Sequence, residues 1–200
     1  MAVERSTRAP VLDLSRPTGL EIDIDVAEAA EVLMSLCAVA DRSDHDTFDV
    51  GADWLREKLE TVPPDLREQV ESMLLGSHKV AAHLLGIVYE TPKPRTFARF
   101  MERLEATDPV ELKLHLFGHY DTSTSHVAPE IVERAARGEP EAIDRALEAV
   151  AEWSDKHQLY RDLLELDGDE AKARIVGLLP RWYEHVFAPY EQEWREAAER

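Results

Sequence analysis

Thr96-Phe97-Ala98-Arg99-Phe100-Met101-Glu102-Arg103-Leu104-Glu105-Ala106 decides the fold class of this 200-residue chain. Phe97, Phe100, Met101 and Leu104 stand at i, i+3, i+4 and i+7, a spacing that an α-helix gathers onto one face. Arg99, Glu102, Arg103 and Glu105 fall on the opposite face. The stretch predicts an amphipathic helix lying on a core, and the rest of the sequence repeats the theme.

Outward from this helix, several runs rich in Ala, Leu and Glu begin with a proline. Pro64-Asp65, Asp108-Pro109, Pro129-Glu130 and Pro140-Glu141 are the pairs concerned. Proline suits the first turn because its missing N–H would have no partner there, and an acidic neighbour complements the helix dipole. Predicted helices cover residues 26–40, with Asp25 as N-cap, and then 50–60, 79–89, 96–106, 110–120, 131–137, 142–153, 156–166, 170–179 and 181–198. Pro189 is expected to kink or break the last of these. Connections are short, which favours neighbouring antiparallel helices. The segment Leu20-Glu21-Ile22-Asp23-Ile24-Asp25-Val26 alternates apolar and acidic residues and predicts a β-strand. The expected architecture is mainly α: an irregular multi-helix bundle with one N-terminal strand at about residues 20–26. Residues 1–19 form an extended or flexible lead, and residues 20–200 a single domain.

Composition narrows the function classes. Asp and Glu number 41 against 23 Lys and Arg, giving a formal charge of −18. The acidity runs through both halves of the chain. Phosphate contacts need clustered cations, so direct nucleic-acid binding is not expected, nor is an anionic membrane surface. Apolar residues make up 44%, enough for a packed core. Cys37 is the single cysteine and stands in an apolar run, where it reads as a small buried hydrophobe. No apolar run reaches the ~18–20 residues of a membrane span, and residues 1–20 lack the apolar core of a secretory signal. A cytoplasmic protein is expected.

Few residue groups could carry chemistry. His115 and His119 are spaced i, i+4 on one helical face and could chelate a divalent ion, with Asp121 or His126 completing the set. The alternative is that His119 and Tyr120 end a helix, where an imidazolium suits the dipole. His78 and His83, five apart, face different ways. Asp41, Asp44, Asp46 and Asp49 crowd one loop with His45 but lack the glycine and glutamate positions of a calcium loop. Thr122-Ser123-Thr124-Ser125-His126 reads as a turn. No phosphate-binding glycine motif is present. Trp182, Tyr183, Phe187, Tyr190 and Trp194 form an aromatic group that reads as core, interface or ligand-pocket lining.

Three stretches carry a family resemblance: residues 48–55 (Phe48 to Leu55, including Trp54), the helix at 96–104, and residues 182–194 (Trp182 to Trp194). With the opening strand and the Ala/Leu-rich helix after it, the chain resembles the N-terminal region of long ArsR-type transcriptional regulators. In that group a helical N-terminal domain precedes a winged helix-turn-helix. No counterpart of the winged helix occurs here, so no DNA-recognition residue is carried over. The helical sequence through Trp194 to Arg200 has no closing cap, which suggests either a chain that continues or a stand-alone version of the domain.

The resemblance implies a non-catalytic regulatory domain that senses an effector or self-associates without touching DNA. The expected ligand-binding residues are Trp54, Trp182 and Tyr183, with a small-molecule effector as partner and no cofactor, metal or catalytic residue. Two other readings stand beside it: a metal-dependent helical-bundle enzyme using His115 and His119, and a stand-alone dimerisation scaffold supported by the unpaired strand.

Overall fold

The computed structural model describes residues 25–40, 57, 60–74, 78–118, 127–151 and 157–198. Most of them are helical, in the order α1 (Glu28–Ala40), α2 (Pro64–Leu74), α3 (His78–His83), α4 (Leu85–Glu90), α5 (Phe97–Ala106), α6 (Pro109–Leu116), α7 (Pro129–Ala136), α8 (Pro140–Ala151), α9 (His157–Glu165) and α10 (Gly168–Trp182). A π-helical turn (Tyr183–Phe187) and a 3-10 turn (Ala188–Tyr190) then lead into α11 (Glu191–Ala198). The mainly α architecture is as expected. The described residues contain no strand: Asp25 and Val26 are irregular, and residues 20–24 lie outside the described set.

The helix starts follow local chemistry. Pro64, Pro109, Pro129 and Pro140 each open a helix. The Asp108 carboxylate accepts from the amides of Val110 (2.9 Å) and Glu111 (3.3 Å) at the head of α6. Asp167 does the same for Asp169 and Glu170 on α10, and Thr96 for Arg99 on α5. Such caps satisfy amides that have no partner within the helix. Asp25 is not the cap of α1, which begins three residues later. Its carboxylate instead pairs with the Arg95 guanidinium, and the Arg95 carbonyl accepts from the Ala29 amide at 3.2 Å.

Two apolar clusters meet at α6 and α9, since Leu163 of α9 belongs to the larger and Leu164 to the smaller. The larger draws on α1 to α5, α10 and the π turn, with Trp182, Phe100, Leu33 and Leu66 fully buried. The smaller is built from α7, α8 and α9. Leu112 and Leu116 of α6 belong to the first, and Leu114 of the same helix to the second. The last five residues of α6, Leu112 to Leu116, are buried all round, and they carry two polar side chains, Lys113 and His115, into the interior. Lys113 Nζ donates to the carbonyls of Leu164 and Leu166, both at 2.7 Å, closing the end of α9. Burial pushes its ammonium below the ordinary lysine range, partly offset by Asp167.

Two expected boundaries move. The helix expected at 79–89 breaks at Leu84 into α3 and α4. Conversely, Pro180 does not divide 170–198; it lies within α10. The irregularity falls around Pro189, as expected. That residue has no N–H to offer the preceding turn, and the chain leaves the α ladder in a π turn and then a 3-10 turn. Among the described residues no helix is long and apolar enough to cross a membrane.

Candidate functional site

Three arrangements stand out. The first is a polar junction at Glu28, the opening residue of α1 and almost fully buried. Its Oε2 accepts from the Phe97 amide at 3.0 Å, so the starts of α1 and α5 are tied directly. Its Oε1 lies 3.3 Å from the Tyr183 hydroxyl and 3.5 Å from an Arg195 nitrogen. The Tyr183 hydroxyl donates to Glu191 at 2.8 Å, and Arg195 donates to the same carboxylate. Burial, then the two carboxylates, push the Tyr183 phenol well above its ordinary range. The Arg195 and Tyr183 hydrogen bonds hold Glu191 below the usual carboxylate range.

The second is an apolar groove beside that junction. Among the described residues the exposed large hydrophobic side chains are Val26 (47%), Met34 (42%) and Tyr89 (63%). All three line one groove of about 580 Å³ together with Ala30, Leu85 and Trp194. A smaller cleft of about 240 Å³ shares Val26 and Trp194 and adds Glu28, Pro94, Arg95 and Arg195. The groove therefore combines apolar side chains of α1 and α4 with the carboxylates of Asp25 and Glu31, and its charged end meets the Glu28 junction.

The third surrounds His115. Its Nε2 lies 3.8 Å from Glu90 Oε1, and ligand atoms of Glu90, Glu111 and His115 all lie within 4.8 Å of one another. Arg103 of α5 reaches both carboxylates, Glu90 at 2.9 Å and Glu111 at 3.7 Å. His115 is 2% exposed. Burial keeps its imidazole below the ordinary histidine range against the opposing pull of Glu90 and Glu111. A matched pair of sequences seats the histidines. His83-Leu84-Leu85-Gly86 and His115-Leu116-Phe117-Gly118 face each other across α3–α4 and α6. The His115 ring packs on Gly86 and the His83 ring on Gly118, while His83 Nδ1 lies 3.0 Å from the Leu116 carbonyl oxygen. Gly118 also takes φ +76°, a left-handed turn that ends α6 and suits glycine.

The expected ligand-binding residues part company. Trp182 is fully buried, and its Nε1 donates to Ser35 Oγ at 3.0 Å. Tyr183 stacks on Phe97 at 4.5 Å and belongs to the Glu28 junction. Trp54 lies outside the described residues, as do His119, Asp121 and His126, the acidic loop at 41–49 and the turn at 122–126. Within the aromatic group near the C-terminus, Tyr183 and Phe187 meet at 5.6 Å, and Trp194 packs edge-on against Phe187. Cys37 is buried, as its apolar setting predicts.

Glu28, Glu90, Arg103 and Glu111 escaped the sequence reading. One signal was available: Glu111 is four residues before His115 and so shares its helical face. The other partners come from separate helices and leave no trace in local spacing. No protein-family model, curated protein or solved structure matches the chain.

Proposed function

We propose that this chain is a non-catalytic regulatory domain that takes an amphipathic small molecule in the groove of Val26, Met34, Tyr89 and Trp194. The observation that carries the reading is the gathering of the exposed large hydrophobic side chains at one groove with a charged end. Its volume falls within the roughly 300–1,000 Å³ usual for small-molecule sites. Trp194 belongs to α11, which is joined to the bundle through the π and 3-10 turns and tied to α1 through Arg195 and Glu28. A ligand between Val26 and Trp194 would change how α11 sits on α1. In the ArsR-type regulators that the sequence resembles, the DNA-binding module lies C-terminal to this domain, so α11 is the natural output. Coupling of this kind requires the ligand to prefer one of two arrangements.

The test uses the dye 8-anilinonaphthalene-1-sulfonate, which carries an apolar ring system and one anionic group. Saturable binding at one site, weakened in both Met34→Glu and Tyr89→Glu, supports the reading. Binding that neither variant alters overturns it. The same exposed face favours one second reading, self-association of two copies. Sedimentation separates the two: a concentration-dependent dimer abolished by Tyr89→Glu would assign the groove to a second chain.

A further inference from the structure

We infer that Glu90, Glu111 and His115 form a binding site for a divalent transition-metal ion of the zinc type, a site for which Arg103 is the competing internal cation. The donors come from two helices, Glu90 closing α4 and Glu111 and His115 one turn apart on α6. Tetrahedral zinc with bonds of about 2.0–2.1 Å needs donor atoms about 3.4 Å apart. The His115–Glu90 pair is already at 3.8 Å. Both carboxylates are only partly buried, so small torsional changes bring Glu111 into the set. Their exposure also leaves a path for the ion and room for water at its remaining position. One imidazole and two carboxylates suit zinc, cobalt or nickel better than calcium or magnesium, which take six or more oxygens or keep most of their waters.

The surroundings hold the nitrogen ligand in place. Gly86 offers no Cβ, so the Nδ1–Cε1 edge of the His115 ring packs close against α4 while Nε2 lies 3.8 Å from Glu90 Oε1. Among the described residues, the other charged or titratable groups facing the cluster are Arg103 and His83. Arg103 now neutralises the two carboxylates. An ion carrying two charges at closer range replaces it, and the guanidinium of α5 is released. The inference does not depend on the apolar groove, which lies on other residues.

Cobalt(II) titration of the full chain without an affinity tag tests the site, followed by competition with zinc(II). The expected result is one equivalent bound at micromolar concentration with a tetrahedral cobalt absorption band. His115→Gln and Glu111→Gln should each weaken binding by at least about tenfold. Glu111 is partly exposed, so its variant keeps the test valid if His115→Gln fails to fold. The Arg103→Gln variant should tighten binding, because the competitor is gone; a structural ion-pair cluster with no affinity for metal has no reason to respond so. Absence of binding in both wild type and Arg103→Gln overturns the inference. So does cobalt binding that persists in Glu111→Gln but disappears in His119→Ala, which would place the ion on the His115/His119 pair instead.

Discussion

The imidazole of His115 lies where a side chain on Gly86 would have to be. A Cβ there would stand 2.8 Å from Nδ1, closer than carbon and nitrogen can pack. Because His115 is held inside α6 with Leu112 and Leu116 in the core beside it, it cannot swing aside without disturbing the α4–α6 contact. Gly86→Ala should therefore destabilise the fold by about 1–3 kcal/mol, the usual range for overpacking. Gly177 on α10 provides the control, since nothing lies within 4 Å of its would-be Cβ and the position is exposed. Gly177→Ala should stabilise by roughly 0.5–1 kcal/mol through helix propensity alone. Urea unfolding of the two variants side by side checks both signs; a neutral Gly86→Ala would show that the histidine is not tightly seated.

Lys113 gives a second prediction. Its ammonium is the shared donor to the Leu164 and Leu166 carbonyls at the end of α9. Lys113→Met keeps the length and apolar stem of the side chain but removes the donor. The expected cost is about 1–3 kcal/mol, that of buried acceptors left without a partner. Hydrogen exchange should show the loss concentrated in α9 and the start of α10. An equal loss of protection across α1 and α5 would mean that the residue serves general packing instead.

Lys113 and His115 also show where sequence reasoning stops. The stripe of Phe97, Phe100, Met101 and Leu104 was legible because a surface helix has one wet face, and all four are buried as expected. The proline starts were legible because they depend on neighbouring residues only. Residues 110–116 were read correctly as helical, but their alternation of apolar and polar residues gives no hint that Leu112 to Leu116 are all buried. That coverage is a property of α3, α7 and α10, which pack against the helix from other parts of the chain. Asp25 misled for a related reason. It has the chemistry of an N-cap, but a guanidinium seventy positions away binds its carboxylate instead. The Glu28 junction was hidden in the same way, since Phe97, Tyr183 and Arg195 meet it only in the folded chain.

That junction is open to a double-mutant cycle. Glu28→Ala leaves the Phe97 amide without its acceptor, and a cost of about 1–3 kcal/mol is expected. Tyr183→Phe removes one hydroxyl and should cost about 1 kcal/mol. Since Tyr183 donates mainly to Glu191, with Glu28 at the longer distance, the coupling between positions 28 and 183 should lie at the low end of the roughly 0.5–3 kcal/mol found for contacting residues. A coupling of zero, measured by chemical denaturation of the four proteins, would mean that the two groups do not act together.

Glu191 sets a pH dependence whose sign is fixed. Hydrogen bonds from Arg195 and then Tyr183 hold its carboxyl below its ordinary value of 4.5 in the folded chain. The unfolded chain therefore takes up the proton first as the pH falls. The stabilisation is complete above that ordinary value and is lost as the pH drops through it towards the lower folded value. Glu191 is only partly buried and its partner Arg195 is exposed, so the contribution is small and weakened by salt. Wild type should exceed Glu191→Gln in stability at pH 7, and the difference should shrink steadily on acidification to about pH 3. High salt should shrink it at pH 7 as well. A difference that grows as the pH falls would reverse the sign, and would mean that Glu191 is more readily protonated in the folded chain than in the unfolded one.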